Sequence, residues 1–365
     1  MYGFGHLAKL SGMLSLQVIQ AMAPILTDKE LASPPPKIIR TCCSFGSELH
    51  LMGIPFIKIT EITSLQKMGG HHFLGDESEN NGILYTRRGG FIDMGHLRDC
   101  ADLTAYYYLL ILEVKSKESI RTLTLGNEGG KKNLLLSIPP DISDADALLT
   151  AANIAYDLSV WHEIATWFGA SFVPLIPERF SSFSPEDLYS NLLGVYLGMA
   201  AINSDLPYNE AMDGLLRQKL NELQAVHTMQ ETEMAMEAVE GKWWTREKAL
   251  PSRKILLQRH FGDSEVLTPW LIPDSLNKNI PVTLPFPARP ANSDYYQLSI
   301  QLNYRFPSRE IFLDRKYRCI DSQDFAEIVS FIVKDIVQKT ADDPPKKNIS
   351  SDSLRLTKRS RSKHK

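Results

Sequence analysis

Residues 183–198 decide how the centre of this chain folds, and they read FSPEDLYSNLLGVYLG. Ser184 is suited to cap a helix, and Pro185 is suited to the first helical position, where its missing N–H is not needed. Glu186 and Asp187 follow, so negative charge lies at the positive end of the helix dipole. The stretch therefore predicts a helix that is capped by this serine.

One face of this helix, which we expect to continue to Ala201, carries Asp187, Asn191, Gly194 and Gly198. A glycine inside a helix costs about 0.5–1 kcal/mol relative to alanine, so two on one face indicate that another backbone approaches closely there. The contact would carry Asp187 and Asn191 into the interior. A buried carboxylate needs a partner or a metal ion.

A second predicted helix carries a polar face of its own. It begins near Gly95 or His96 and extends to about Ile111. His96, Asp99 and Asp102 follow one another at steps of three residues, so they share one side of this helix.

A third helix is predicted after Asp141 and Ser143, either of which is suited to cap it, and it ends at Gly169. Four polar residues fall within about 100° of one another around its axis. They are Ser159, His162, Glu163 and Thr166.

Two histidines and several carboxylates on three helices are typical of a site for one divalent metal ion, such as zinc, manganese or iron. The predicted ligands are His96, Asp99, His162 and Asp187. Glu163 is the predicted general base, which would take a proton from a water molecule on the metal. Further polar candidates for the same site are Asp102, Thr166, Asn191 and Arg88.

Two other interpretations of these polar faces stay open. The side chains could form a buried structural network, because a histidine and an aspartate satisfy each other well. They could also be solvent-facing sides of amphipathic helices. The metal interpretation requires both histidines and at least two carboxylates to converge within about 5 Å, since metal–ligand bonds are only ~2.0–2.2 Å long. A standard zinc-protease helix is excluded, because Thr166 stands where the second ligand histidine belongs.

The remaining patterns predict an α+β protein with a helix-rich centre and short antiparallel strands or hairpins on either side. Strands are expected at residues 54–60, 82–86 and 91–93, in a hairpin of 120–125 with 133–138, and around 298–302. Further helices are expected at residues 209–239 and 322–339.

Charge and composition divide the chain into three parts. Residues 1–33 form an N-terminal segment, 34–340 a single globular domain, and 341–365 a basic tail that we expect to be disordered. Residues 346–365 hold eight Lys or Arg and one acid, so this part carries +7 and the rest of the chain −10. Such a tail can touch anionic lipid or nucleic acid weakly.

The compartment is not fixed by the sequence. Residues 13–26 are either a degraded export signal or an ordinary amphipathic segment, and no apolar run is long enough to span a bilayer. The four cysteines, Cys42, Cys43, Cys100 and Cys319, show no zinc or redox spacing. No nucleotide cofactor is expected, because glycine-rich nucleotide motifs are missing.

Four sequence blocks resemble a bacterial family known only as a domain of unknown function. They are TCCSFG (41–46), YTRRGGFIDMGHLRD (85–99), WHEIATW (161–167) and FSPEDLYSNLLG (183–194). The resemblance spans about Pro34 to Phe306 and implies an exported or lipid-anchored envelope protein. The periplasm or cell envelope is therefore suggested. A cytoplasmic location stays open, because a convincing signal or lipobox is missing.

The leading functional hypothesis is a metal-dependent hydrolase of the bacterial cell envelope. Its substrate would be a small molecule or an envelope polymer that the sequence does not identify. The alternative is a non-catalytic envelope protein, structural or ligand-binding, in which the same residues form a buried polar network.

Overall fold

The computed structural model describes residues 40, 45–46, 62–117, 119–170, 181–245, 256–262, 265–273, 279–290, 293–304, 306–312 and 318–342. The N-terminal segment 1–33, the strand expected at 54–60, Cys42 with Cys43, and the basic residues 346–365 lie outside the described residues.

Over the described part, seven α-helices and eight short strands give the predicted α+β fold. The helices are α1 (Met94–Lys117), α2 (Asp144–Trp167), α3 (Asp187–Ile202), α4 (Tyr208–Glu222), α5 (Met229–Ala238), α6 (Ser308–Ile311) and α7 (Phe325–Asp342). The strands are β1 (Ile83–Thr86), β2 (Gly90–Asp93), β3 (Ile120–Asn127), β4 (Gly130–Ser137), β5 (Val266–Leu267), β6 (Leu284–Pro285), β7 (Tyr296–Leu302) and β8 (Cys319–Asp321). None of the described helices combines the length and apolar character needed to cross a membrane.

The strands form three small antiparallel sheets around the helices. β1 pairs with β2, β5 pairs with β6, and the largest sheet has the order β3-β4-β7-β8. In β7, Leu298, Ile300 and Leu302 are buried, whereas the residues between them are not. This alternation confirms the strand predicted there, because successive side chains of a strand point to opposite faces.

The helices α1, α2 and α3 pack against one another and form the centre of the core. A Cβ atom placed on Gly194 of α3 would overlap the carbonyl oxygen of Leu97 in α1. One placed on Gly198 would lie 2.6 Å from the carbonyl oxygen of Ala101. The close backbone approach predicted from the two glycines is therefore confirmed.

The predicted start of α3 is wrong by two residues. The helix begins at Asp187, and its N-cap is Glu186, which makes no side-chain capping bond. Ser184 instead lies in the turn before the helix. Its backbone N–H donates to Asp187 Oδ2 at 2.8 Å, and its hydroxyl donates to Glu186 Oε2 at 2.7 Å. The serine orients the two acids rather than capping the helix.

The single helix predicted for residues 209–239 is also wrong, since the structure divides it into α4 and α5. Between them the chain pairs with the β1–β2 turn: the carbonyl oxygens of Leu223 and Gln224 accept the N–H groups of Arg88 and Arg87. A capping box at Thr228 then starts α5. Backbone hydrogen bonds to the hairpin thus replace those that a continuous helix would make.

Candidate metal centre

His96 lies on the first turn of α1, where Asp93 fixes its position. Asp93 Oδ1 accepts the backbone N–H groups of Gly95 at 2.7 Å and of His96 at 3.0 Å. The backbone N–H of Asp93 donates to Ser190 Oγ in α3 at 2.9 Å. The second oxygen of Asp93, Oδ2, lies 3.7 Å from His96 Nδ1. Asp93 therefore caps α1 and faces the imidazole as well.

Asp187 reaches the same imidazole from the start of α3. Its Oδ1 atom lies 3.2 Å from His96 Nδ1. Burial raises the pKa of the Asp187 carboxyl, and the nearby charges of Glu163 and Asp93 raise it further, whereas His96 opposes them. One oxygen is thus anchored by Ser184, and the other points towards His96.

α2 supplies the second histidine and a buried carboxylate. Glu163 Oε2 accepts the backbone N–H of Phe183 at 2.7 Å, which fixes the carboxylate against the turn before α3. The rings of His96 and His162 lie edge to face, with their centroids 6.1 Å apart. Nδ1 of His162 lies 2.6 Å from Glu128 Oε1, on the turn between β3 and β4.

These side chains form two groups that share His96. His96, His162 and Glu163 each offer a ligand atom within 4.8 Å of the others, and so do Asp93, His96 and Asp187. Neither group alone meets the sequence criterion of two histidines and two carboxylates in one place. Together the two groups hold four of the five residues predicted as ligands or general base, and Asp93 takes the place of Asp99.

The centre also concentrates buried carboxyl groups. Asp93, Glu163, Glu186 and Asp187 are all buried, with at most 2% of each residue exposed. Burial raises the pKa of Glu186 well above its ordinary value, and Asp187 and Asp93 add to the shift. A charge that is removed from water is costly unless an opposite charge compensates it. A divalent cation would supply that compensation and lower these pKa values.

One helical turn away from these ligands lies a neutral polar layer. Cys100 Sγ donates to Asn191 Oδ1 at 3.3 Å and also bonds with Ser159. Burial raises the pKa of the Cys100 thiol to about 12, so the thiol stays protonated at neutral pH. Thr166 is buried as well, and its hydroxyl has no hydrogen-bond partner among the described residues. Asn191 therefore contacts the thiol, whereas the Thr166 hydroxyl has no polar contact within the described part of the chain.

Asp99 and Asp102 belong to a different cluster, which is built around Arg40. Nη1 of Arg40 lies 2.9 Å from Asp99 Oδ1 and 2.8 Å from Asp102 Oδ2, and its Nε lies 2.7 Å from Glu79 Oε2. Asp102 Oδ1 also lies 3.0 Å from His71 Nε2. Asp99, predicted as a metal ligand, is in neither group around His96, because its carboxylate binds this guanidinium.

Arg88 lies apart from both clusters. Its Nε donates to the carbonyl oxygen of Ile280 at 3.3 Å, and its Nη1 donates to that of Glu222 at 3.4 Å. The guanidinium therefore joins two loops to the β1–β2 turn.

The sequence reasoning missed two residues, Asp93 and Glu128. Asp93 had a signal, because it lies three residues before His96 at the point where a strand changes to a helix, a place suited to a capping aspartate. Glu128 had none beyond its place in a predicted turn, and a distance of 34 residues separates it from His162 in sequence.

Comparison with known proteins gives a family and no further relative. No curated protein and no solved structure matches the chain. The family described as "Protein of unknown function (DUF4056)" matches residues 30–273, a somewhat shorter range than the resemblance suggested. This match covers more than half of the chain, which therefore belongs to the DUF4056 family.

Proposed function

We propose that this protein is a metal-dependent hydrolase whose divalent ion is bound by His96, His162 and Glu163. The observation that carries the proposal is that ligand atoms of these three residues lie within 4.8 Å of one another. Two imidazoles and one carboxylate leave coordination positions open for water and substrate, and they suit zinc, iron or manganese. When bound, the ion would lower the pKa of a water molecule towards neutrality.

In this proposal Glu163 and Asp187 exchange the roles expected from the sequence. The Phe183 N–H holds one oxygen of Glu163, so the carboxylate is fixed close to both histidines as a ligand would be. Asp187 Oδ1 lies 3.2 Å from His96 Nδ1, and its other oxygen accepts the backbone N–H of Ser184. Burial raises the pKa of Asp187 to about 8, and a bound divalent cation would lower it towards neutral pH, where the carboxylate can accept a proton from water.

The exposure of the side chains indicates how a substrate would reach the centre. The exposed fraction is 31% for His162, 11% for His96 and 2% for Asp187. The centre is therefore open on the His162 side and closed on the α3 side. A site of this form admits the substrate from one direction and keeps the proton acceptor away from bulk water.

The non-catalytic alternative is favoured by direct contacts, because these already provide hydrogen-bond partners for some side chains of the cluster. His162 pairs with Glu128, and Glu163 accepts a backbone N–H from Phe183. In that case Glu186 and Asp187, whose pKa values are raised by burial, would be protonated, and the cluster would only stabilise the junction of α1, α2 and α3. The two functions differ in one property that can be measured, which is dependence on a metal ion.

The test is turnover of chromogenic esters, phosphoesters and amides by the protein before and after chelation, with zinc, manganese or iron added back. We expect activity to require the metal. Asp187→Asn should keep the ion and lose about 10²–10⁴-fold in turnover, the usual contribution of a general base. Glu163→Gln should lose the ion. The matched control is Glu233→Gln, because Glu233 is an exposed glutamate of α5. Activity that survives complete removal of metal would contradict the proposal.

A further inference from the structure

The turn between β3 and β4 is fixed rigidly against α2. The carbonyl oxygen of Glu128 accepts the indole N–H of Trp161 at 2.9 Å, and that of Gly129 accepts the backbone N–H of Asn303 at 3.2 Å. Gly129 has a φ of +64°, and a Cβ atom on it would lie 3.1 Å from Cβ of Ala165. The hairpin therefore holds the backbone of Glu128 in one place beside the helix that carries His162.

The side chain of Glu128 is held at both oxygens. Oε1 lies 2.6 Å from His162 Nδ1, and Oε2 lies 2.6 Å from Lys132 Nζ. The ammonium group of Lys132 favours the ionised carboxylate, which can only accept hydrogen bonds. At 2.6 Å, Glu128 Oε1 therefore accepts a hydrogen bond from the Nδ1–H of His162.

This contact determines which nitrogen of His162 can bind a metal. With Nδ1 protonated and directed at Glu128, the lone pair of the neutral ring lies on Nε2. Histidine ligands in metal sites commonly donate the other ring N–H to a carboxylate, which fixes the tautomer and ring orientation and makes the ligand more basic.

We infer that Glu128, supported by Lys132, is a positioning residue that presents Nε2 of His162 to the metal ion of the proposed hydrolase. The inference rests on the proposed function and extends the site to the β3–β4 hairpin, which lies far from His96 and Asp187 in sequence. It assigns to the hairpin a role in metal affinity rather than in stability alone.

The test compares Glu128→Ala with Glu128→Gln, which keeps an acceptor oxygen without the charge. The matched control is Glu113→Ala, since Glu113 also pairs with two cations, Arg121 and Lys117, but contacts no histidine among the residues that the structure describes. Zinc affinity is measured by competition with a chromophoric chelator. Nitrogen-15 NMR of labelled histidine reports the tautomer of His162 in the metal-free protein.

We expect Glu128→Ala to weaken zinc binding by about 10–100-fold, Glu128→Gln to restore part of it, and the control to bind zinc as the wild type does. The wild-type His162 should carry its proton on Nδ1, and Glu128→Ala should show mixed tautomers. Equal zinc affinity in wild type and Glu128→Ala would overturn the positioning role alone. A wild-type protein that retains the Nδ1 tautomer but binds no zinc would overturn the proposed metal centre, and the positioning role with it.

Discussion

Replacing Gly194 with alanine tests whether the contact between α1 and α3 builds the site. The new Cβ would overlap the carbonyl oxygen of Leu97, which is backbone and cannot rotate away. Overpacking a core costs about 1–3 kcal/mol, and a contact with backbone belongs at the upper end of that range. Alanine recovers about 0.5–1 kcal/mol of helix stability. The net loss in the free energy of unfolding is therefore about 2 kcal/mol.

Gly214→Ala is the matched control, because Gly214 also lies inside a helix, α4, and a Cβ atom there would meet nothing within 4 Å. It should gain about 0.5–1 kcal/mol. Urea denaturation of both variants measures the difference from the shift in midpoint at an unchanged slope. Gly194→Ala should also weaken zinc binding, since the new Cβ presses on the backbone of Leu97, next to the ligand His96. Equal stability of the two variants would refute the close approach and the placement of Asp187 that follows from it.

Two further predictions concern the Arg40 cluster. Asp102→Ala removes one of the three carboxylate partners of Arg40 and the acceptor of His71 Nε2, so we expect it to lower the free energy of unfolding by about 1–3 kcal/mol in urea denaturation. Zinc affinity should stay unchanged, and a loss of zinc would contradict the separation of the two clusters. Burial opposes ionisation of Glu79, but Arg40 outweighs it and lowers the pKa of Glu79 from 4.5 to about 2. The stability that this carboxylate contributes is therefore complete above pH 4.5 and lost as the pH falls towards 2, and Glu79→Gln should flatten the dependence measured by denaturation at each pH.

Helix packing was predictable where the sequence places residues that destabilise a helix, such as glycine, inside a predicted helix. Two glycines inside an apolar helix have a cost that only a close neighbour explains, and this reasoning located the contact of α3 with α1. The same stripe brought Asp187 and Asn191 inward. The division of residues 209–239 into α4 and α5 was not predictable, because it depends on hydrogen bonds to the β1–β2 turn, which lies more than a hundred residues earlier.

Only those features of the candidate site that follow from the periodicity of a single helix were predictable. The spacing of His96, Asp99 and Asp102 shows that they share a helix face, but not which partner each one meets. Arg40 binds Asp99 and Asp102, which lie 59 and 62 residues further along the chain. No local sequence pattern predicts these contacts. Glu128 reaches His162 through a hairpin in the same way. Pairings between distant segments depend on the tertiary fold and cannot be derived from periodicity.

Metal content tests the central claim most directly. Elemental mass spectrometry of tag-free protein compares the wild type with His162→Ala and with His227→Ala, which removes an exposed histidine outside the centre. We expect near-stoichiometric zinc, iron or manganese in the wild type and in His227→Ala, and its loss in His162→Ala. A wild type that holds no metal after reconstitution, or a His162→Ala variant that holds as much as the wild type, would contradict a metal centre at His96, His162 and Glu163.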